Sequence, residues 1–398
     1  MTMTPLPVIR LNPKAHARAI RFGAPWVYDN EIVTDRRTKA LAPGTIAVLE
    51  DAERVPLALV AVNPASRIFG RVMDMDLAAR IDRAWLEARL IRALALRERL
   101  YDAPFYRLVH AEADGLPGVV IDRFGDVAVI QPNAAWSENM LPDLVAALQS
   151  VTGVKHVLKN ATGRARSLEG LDDVSAVLAG VAPEAAVPVP MNGATYLADL
   201  TGGQKTGLFY DQRPNHAFAA QLASGARVLD VFSHVGGFAM AALAHGAEKA
   251  VAVDGSDAAL QLAQEGARLS GVEARFETRK GDAFEVLTQM SEAGEKFDLV
   301  ICDPPAFAPS KKALEAGLRA YERIARLAAG LVDHGGYLGL CSCSHAADLT
   351  KFRGACLRGI GRAGRSAQLI HSGTAGPDHP LHPNLAESGY LKALFFRL

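Results

Sequence analysis

The chain has 398 residues, which at roughly 150 residues per domain predicts two or three domains. Hydrophobic residues make up 49% and charged residues 22%, a composition that excludes a disordered or fibrous protein. The 43 basic and 43 acidic side chains cancel, so a basic field over the whole protein is excluded, whereas a local basic patch is not. Four cysteines are too few for a disulfide framework. Because no apolar run is long enough for a membrane span or a signal sequence, we expect a cytoplasmic protein.

Short apolar runs broken by proline, glycine and aspartate characterise residues 1–74. Thr45–Leu49 and Leu57–Val62 predict strands, so we expect a small β-rich barrel. This region contains 10 Lys/Arg and 7 Asp/Glu. Its excess of positive charge favours RNA phosphates, with Lys14 and Arg18 as candidate contacts.

Residues 75–185 mix helical and strand patterns and predict an α+β domain. Leucines that recur every four residues predict a helix over Asp82–Leu100, and glycine turns flank the β-branched run Val119–Ile121. The segment Val154–Ser167 contains no acidic residue, so its basic side chains are candidates to follow an RNA backbone, and the alternative is a solvated basic face. These side chains are Lys155, Lys159, Arg164 and Arg166.

A proline-rich link over 181–190 precedes a region, residues 186–398, in which strands alternate with helices. The alternation predicts an α/β fold with a doubly wound, Rossmann-like sheet that binds ligands at the carboxyl ends of its strands. The predicted strands are Arg227–Phe232, Ala250–Asp254, Ala274–Thr278, Phe297–Cys302 and Gly336–Cys341.

The first of these strands is followed by a glycine pair and an alanine-rich helix, an arrangement that lets the backbone approach a ligand closely. Asp254 ends the next strand, where an acid can accept hydrogen bonds from ribose hydroxyls, and Asp282 follows the third, where it can accept from an adenine amino group. The loop lacks the dinucleotide G-x-G-x-x-G pattern. The order Asp230, Gly236-Gly237, Asp254, Asp282 therefore favours S-adenosylmethionine (SAM), and the alternative is another nucleotide or no ligand.

The fourth strand leads into D-P-P-A-F, in which two prolines hold the backbone extended and aim Asp303 into the cleft. Its carboxylate can accept from an exocyclic amine, and Phe307 can stack on a base. The fifth strand leads into S-C-S, where a Cys343 thiolate could add to C6 of a pyrimidine and activate C5. The alternative is a small buried hydrophobe, our interpretation of Cys302 and Cys341. The C-S-C spacing does not suit zinc, so no metal is expected.

Several sequence blocks are shared, in order, with a known family. P-W-V-Y (25–28) and N-P-A-S-R-I-F-G-R (63–71) resemble its PUA domain, and A-E-A-D-G-L-P-G-V-V-I-D-R-F-G (111–125) resembles its middle domain. G-G-Q-K-T-G-L-F-Y-D-Q-R (202–213), D-V-F-S-H-V-G-G-F, D-P-P-A-F, S-C-S and D-H-P…G-Y-L-K (378–392) follow. The ordered set, which runs nearly from end to end, resembles the RlmI-like 23S ribosomal RNA cytosine-C5 methyltransferases.

This resemblance implies a three-domain, SAM-dependent enzyme that makes 5-methylcytidine in RNA, with Cys343 as the nucleophile and Asp303 as the acid that orients the base. The segment Lys205–Arg213 would cover the methionine end of SAM or the target base, and the alternative is a turn that joins two domains. The expected SAM-binding residues are Gln212, Phe232, Ser233, Gly236, Gly237, Asp254, Ser256, Asp282 and Asp303. The expected RNA-binding residues are Lys14, Arg18, Arg164, Arg166, Lys205 and Phe307.

The chain departs from the family pattern at a few positions. His234-Val235 replaces the common Tyr-Thr, and His345 follows S-C-S where glycine is usual, which leaves the substrate nucleotide open. The residue that removes the C5 proton is not visible in the sequence. The expected partner is ribosomal RNA with a single-stranded or flipped cytosine. The oligomeric state is open, with a homodimer as the working expectation.

Two rival functions follow from the same residues. The first is methylation of a purine nitrogen, at guanine N7 or an exocyclic amine, because D-P-P sites also bind amines; the presence of Cys343 argues against it. The second is an RNA-binding assembly factor without catalysis. Asp254, Asp303 and Cys343 are all present and argue against that function.

Overall fold

The computed structural model describes residues 5–202 and 207–398, which form two compact units. The first comprises the residues up to Glu184 together with Pro377–Ser388, and the second comprises Ala185–Gly376 together with Gly389–Leu398. The predicted domain boundary at residue 74 falls inside the first unit and stays a prediction. None of the helices in these ranges is long and apolar enough to cross a membrane.

The first sheet of the N-terminal unit confirms the β-rich module predicted there. Its strand order is β1-β3-β4-β5-β2, with β1 parallel to β3 and the other pairs antiparallel. Alternate residues point into a small apolar core that includes Val27, Leu49 and Val60. The elements are β1 (Val8–Arg10), α1 (Ala17–Arg21), β2 (Trp26–Tyr28), α2 (Arg36–Lys39), β3 (Thr45–Glu50), β4 (Pro56–Val62) and β5 (Ile68–Asp74).

The second sheet has the order β10-β9-β8-β7-β6 and packs against two long helices. The first of these begins at Arg83, after the Asp82 side chain accepts a hydrogen bond from the Trp85 amide and so caps the helix. The elements are α3 (Arg83–Leu100), β6 (Phe105–His110), β7 (Val119–Phe124), β8 (Val127–Pro132), α4 (Ala135–Asn139), α5 (Leu141–Thr152), β9 (His156–Lys159), α6 (Arg164–Leu168) and β10 (Ala176–Ala179).

A buried polar cluster fastens the segment Pro377–Ser388 to this sheet. Arg97 is fully buried, and its guanidinium donates to both carboxylate oxygens of Asp114 at 2.6 and 2.8 Å and to the Asp378 carbonyl at 2.8 Å. Asp378 Oδ2 accepts in turn from the Arg107 backbone amide at 3.1 Å. The D-G and D-H-P blocks of the sequence therefore have a structural role here, because a buried guanidinium needs these partners.

The second unit holds a seven-stranded sheet with the order β15-β14-β13-β16-β17-β19-β18. The first five strands are parallel, and β19 runs antiparallel to both of its neighbours. The predicted doubly wound α/β fold is confirmed. The elements are α7 (Arg213–Gln221), β13 (Arg227–Val231), α8 (Gly237–Ala244), β14 (Lys249–Asp254), α9 (Asp257–Leu269), β15 (Phe276–Lys280), α10 (Ala283–Glu292), β16 (Phe297–Cys302), α11 (Leu314–Leu331), β17 (Val332–Ser342), α12 (Leu349–Arg362), β18 (Gln368–Gly373) and β19 (Lys392–Arg397).

The prediction of a link is wrong for the last part of the proline-rich stretch. Residues Val187–Met191 form β11, which pairs antiparallel with β12, Ala194–Ala198. Pro188 and Pro190 are both exposed, and a two-stranded hairpin leaves each strand an edge where a missing backbone donor is tolerated.

The half-buried His110 of the first unit gives a pH dependence of stability. Burial, followed by the nearby Arg107 charge, lowers the pKa of His110 to about 2, whereas an unfolded histidine titrates near pH 6.5. Below about pH 6.5 the unfolded chain binds a proton that the folded chain does not, so the free energy of unfolding falls, by about 2 kcal/mol at pH 5. We expect His110→Gln to remove this loss.

Urea denaturation at pH 7.5 and pH 5 measures this effect. His334→Gln is the matched control, because His334 is exposed. The explanation is wrong if His110→Gln and His334→Gln lose the same free energy of unfolding between the two pH values.

Candidate active site

Three loops lie side by side where the parallel strands β13, β14 and β15 end. The Ser233 amide donates to the Val253 carbonyl at 3.0 Å, and the His234 amide donates to Asp254 Oδ2 at 2.9 Å. The Gly281 amide donates to the Asp254 carbonyl at 3.1 Å. Asp254 therefore joins all three loops at one edge of the sheet.

The loop after β13 turns the chain sharply into α8. Phe232 and His234 have positive φ values of 63° and 50°, and Gly236 has 80°, a region that side chains with a Cβ seldom adopt. A Cβ on Gly237 would lie 2.7 Å from His216 Nε2, so this position has room only for glycine. The glycine pair found in the sequence is thus required by the turn that begins α8.

Asp230 stabilises this turn from inside the fold. Its side chain is fully buried, and Oδ2 accepts from the Phe238 and Ala239 amides at 3.1 and 2.9 Å. Oδ1 has no hydrogen-bond partner among the described residues, and burial raises the pKa of Asp230 to about 7. Asp230 therefore caps the first turn of α8.

The acids at the next two strand ends combine local hydrogen bonds with lone pairs that a ligand can use. Asp254 Oδ1 accepts from the Ser256 amide at 2.8 Å, which leaves the carboxylate with acceptor capacity for ribose hydroxyls. Ser256 Oγ caps α9 by accepting from the Ala259 amide at 3.2 Å. Asp282 Oδ1 caps α10 by accepting from the Phe284 amide at 2.9 Å. Direct contact of Ser256 and Asp282 with a cofactor stays a prediction.

Two predicted cofactor residues carry buried polar atoms without partners. Ser233 Oγ and Gln212 Nε2 make no hydrogen bond within the described part of the chain, while Gln212 Oε1 accepts from Asn215 Nδ2 at 2.6 Å. Buried donors are normally paired, so both atoms suit the polar amino-acid end of SAM. Lys205, also predicted to act near this point, lies outside the described residues.

The D-P-P-A-F segment begins beside the same turn. The Asp303 amide donates to the Val231 carbonyl at 3.1 Å, which places Asp303 next to the last residue of β13. The Phe307 ring lies 6.2 Å from Phe232 and 5.0 Å from Tyr321 between centroids, and it is half-buried. The ring is therefore held in an aromatic cluster at the edge that carries Asp303.

Hydrogen bonds hold S-C-S against this cluster. The Ser342 hydroxyl donates to Tyr321 Oη at 2.8 Å, and Ser344 Oγ lies 2.7 Å from the same oxygen. Ser344 Oγ also accepts from the Ala308 amide at 2.9 Å. The two serines are fully buried, and Cys343 between them is half-buried. Successive side chains of S-C-S point to opposite sides, so both serines point into the core. Their hydrogen bonds fix the backbone that carries the cysteine.

Cys343 is the accessible cysteine of the four, all of which lie in the described residues. Cys302, Cys341 and Cys356 are buried, and burial raises the pKa of each of these three thiols. Buried thiols of this kind are inert. The expectation that Cys302 and Cys341 fill the core agrees with their burial.

The structure adds Lys392, which the sequence pattern did not single out. In the register of β17 and β19, Lys392 lies opposite Ser342. The residue is only 8% exposed, and its ammonium donates to the carbonyls of Ser344 at 2.6 Å and Ala347 at 2.8 Å. Burial lowers the pKa of Lys392, and the nearby Cys343 thiol opposes that shift. A buried cation thus holds the loop that carries Cys343.

The predicted RNA-binding side chains of the first unit separate into two groups. Lys14, Arg18 and Arg164 are exposed and keep their predicted role as a proposal. The prediction for Arg166 is wrong, because this side chain is 1% exposed and forms ion pairs with Glu138 at 2.8 Å and Asp172 at 3.2 Å. Its guanidinium stabilises the fold and has no surface to offer to RNA.

Neighbouring lysines in the same segment are also paired. Lys159 is buried and binds Glu138 at 2.7 Å, and Lys155 binds Asp126 at 2.7 Å. The absence of acidic residues within 154–167 concealed these contacts, since the partners come from elsewhere in the sequence.

Comparison with known proteins identifies the family. The family model of the S-adenosylmethionine-dependent methyltransferases matches residues 154–397, and that of the PUA-like domain matches residues 9–74. A protein of Klebsiella pneumoniae (strain 342) named ribosomal RNA large subunit methyltransferase I is 34% identical over 378 residues, which cover 94% of each chain. A protein of the same name from Cronobacter sakazakii is 34% identical and covers 92% of this chain and 93% of its own.

Solved structures share the fold over its full length. A SAM-dependent methyltransferase structure from Streptococcus mutans has a TM-score of 0.82 at 18% identity and covers 99% of this chain and 100% of its own. A methyltransferase structure in complex with SAH has a TM-score of 0.83 at 18% identity, with the same coverage. The chain belongs to the family of SAM-dependent methyltransferases represented by ribosomal RNA large subunit methyltransferase I.

Proposed function

We propose that this chain methylates C5 of a cytosine in large-subunit ribosomal RNA through a covalent cysteine adduct. The observation that carries the proposal is the placement of Asp303 and Cys343 after two neighbouring parallel strands. In the pairing of β16 with β17, Cys302 lies opposite Leu340, so both strands deliver their loops to the same edge of the sheet. The names of the relatives support ribosomal RNA as the substrate.

The chemistry of cytosine explains why a cysteine is needed. C5 of the ring is a weak nucleophile, and addition of the Cys343 thiolate to C6 forms a C6–S bond and makes C5 an enamine carbon. Asp303 holds the ring through its N3 and N4 edge. SAM, when bound, supplies an electrophilic methyl group for C5. Loss of the C5 proton to a base then breaks the C6–S bond, restores the double bond and frees Cys343.

Several residues of the loops prepare this reaction. Asp254 and Ser233 would hold SAM, since they offer acceptor capacity and an unpaired hydroxyl at the strand edge. Tyr321 fixes S-C-S through both flanking serines. Lys392 provides a positive charge beside Cys343 in a buried setting, where charges act more strongly than in water, and so favours the thiolate.

A covalent trap tests the proposed chemistry. Ribosomal RNA that contains 5-fluorocytidine at the target position should form a complex with the protein in the presence of SAM that survives denaturing electrophoresis. Fluorine cannot leave C5 as a proton does, so the adduct should persist. Cys343→Ala should give no such complex, while the control Cys356→Ala, at a buried thiol, should form it normally. A complex that survives in Cys343→Ala would disprove the role of this cysteine.

Alkylation of Cys343 tests the role of Lys392 without any RNA. We expect Lys392→Met to raise the pH midpoint of iodoacetamide alkylation at Cys343 by about one unit, which lowers the rate roughly tenfold near neutral pH. Lys392→Arg should leave the midpoint where it is in the wild type, because it keeps the charge. Mass spectrometry of the Cys343 peptide measures the modified fraction.

The pH midpoint of alkylation distinguishes an effect of the Lys392 charge on Cys343 from a change in how easily iodoacetamide reaches this thiol. A loop that is merely loosened changes the limiting rate at high pH and leaves the midpoint in place. Other titratable side chains near this loop are the same in both variants, so they do not account for a difference between them. These are Tyr321, Asp348, Asp303 and His345. An unshifted midpoint in Lys392→Met would show that Lys392 only supports the backbone.

A further inference from the structure

Two adjacent helices of the second unit gather arginines into one surface cleft. Arg319, Arg323 and Arg326 follow one another at spacings of four and three residues on α11, so they share a face. Arg358 and Arg362 are four residues apart on α12, which packs along α11. Arg319, Arg323, Arg326 and Arg362, together with Glu322, line a cleft of about 260 Å³. We call these five arginines the arginine cluster.

The charge of this cluster is largely uncompensated. Glu322 is buried and is the carboxylate that pairs with Arg358, at 2.8 Å, and with Arg362. In the described part of the chain, Arg319, Arg323 and Arg326 form no ion pair, and all three are exposed. Five guanidinium groups thus face one carboxylate, in a protein whose formal net charge is zero. Such a concentration of one sign attracts a polyanion.

A chain of ring contacts connects the cluster to the proposed active site. The Arg323 guanidinium lies 4.6 Å from the centre of the Phe284 ring, a cation–π distance. The Phe284 ring is 6.0 Å from that of Phe307, which follows the D-P-P segment that begins at Asp303. These contacts join the D-P-P-A-F segment to Arg323 through two aromatic rings, so the arginine cluster and the proposed active site belong to one packed part of the second unit.

We propose that the arginine cluster binds the phosphodiester backbone of the substrate RNA next to the target cytosine. This inference rests on the proposed function, because it takes RNA as the substrate. Guanidinium groups match phosphate oxygens in a two-pronged geometry. From Arg319 to Arg326 the helix rises roughly 10 Å, which spans about three nucleotides of a stacked strand. In the 154–167 segment, three of the four basic side chains are paired within the fold. We therefore place contact with the RNA backbone on the arginine cluster as well.

Arg319→Gln with Arg326→Gln tests the proposal and leaves the Glu322 ion pairs and the Arg323 stacking in place. The double variant should bind unmodified large-subunit ribosomal RNA more weakly. The plot of log affinity against log salt has a negative slope, and its magnitude should decrease by about 1.4 in the variant. This is about 0.7 for each single-strand phosphate that the variant no longer neutralises. The KM for RNA in methyl transfer should rise, while kcat at saturating RNA and the affinity for SAM should not change. The matched control is Arg92→Gln with Arg99→Gln, two exposed arginines of α3.

The outcomes distinguish this inference from the proposed function. An unchanged affinity and slope in the double variant, with wild type binding normally, overturns the arginine cluster as an RNA surface and leaves the cytosine chemistry intact. An equal loss in the control variant also overturns it, because the effect would then be general charge. Weaker binding to assembled subunits but not to free RNA assigns the cleft to a protein partner and overturns the RNA proposal. If wild type does not bind the RNA at all, both proposals fail together.

Discussion

The parallel hydrogen bonding of β13, β16 and β17 is the constraint on which the candidate active site depends. Parallel strands end at one edge of the sheet, and the loops that follow them must then share that edge. The Asp303 amide bonds to the Val231 carbonyl, and the S-C-S loop bonds to Ala308 through Ser344. The two residues proposed to act on the base are 40 positions apart in sequence, yet these hydrogen bonds hold their loops at the same edge.

The polar groups under this edge are arranged so that few of them carry an uncompensated charge. Asp230, with its raised pKa, caps α8 from the core, and burial lowers the pKa of His216 to about 3, which keeps that imidazole neutral. Lys392 differs from these groups, because among the described residues its ammonium has only the carbonyl oxygens of Ser344 and Ala347 within hydrogen-bond distance. Carbonyl oxygens offset a full positive charge only in part. A neighbouring thiolate would offset it further, and this coupling is the basis of the role proposed for Lys392.

Local patterns predicted the fold and the strand ends at which the candidate site lies. The alternation of strands and helices, the glycine pair and the strand-end acids are features that a few consecutive residues determine. Even so, the third strand lies at Phe276–Lys280 rather than 274–278, because single-residue boundaries depend on pairing with β14. The positions of Arg166 and Lys392 could not be predicted from sequence, because each depends on a tertiary contact. Arg166 pairs with Glu138, and Lys392 reaches the S-C-S loop through the register of β17 and β19. The arginine cluster is hidden for the same reason: its members come from two helices.

The identity of the methylated nucleoside decides whether the protein acts on cytosine C5 or on a purine nitrogen. The protein would be incubated with isotopically labelled SAM and unmodified large-subunit ribosomal RNA, and the RNA would be digested to nucleosides for mass spectrometry. We expect the label to appear in 5-methylcytidine. Label in a guanosine or adenosine would contradict it, because the Asp303 edge would then act on a nitrogen and Cys343 would serve only to pack the loop.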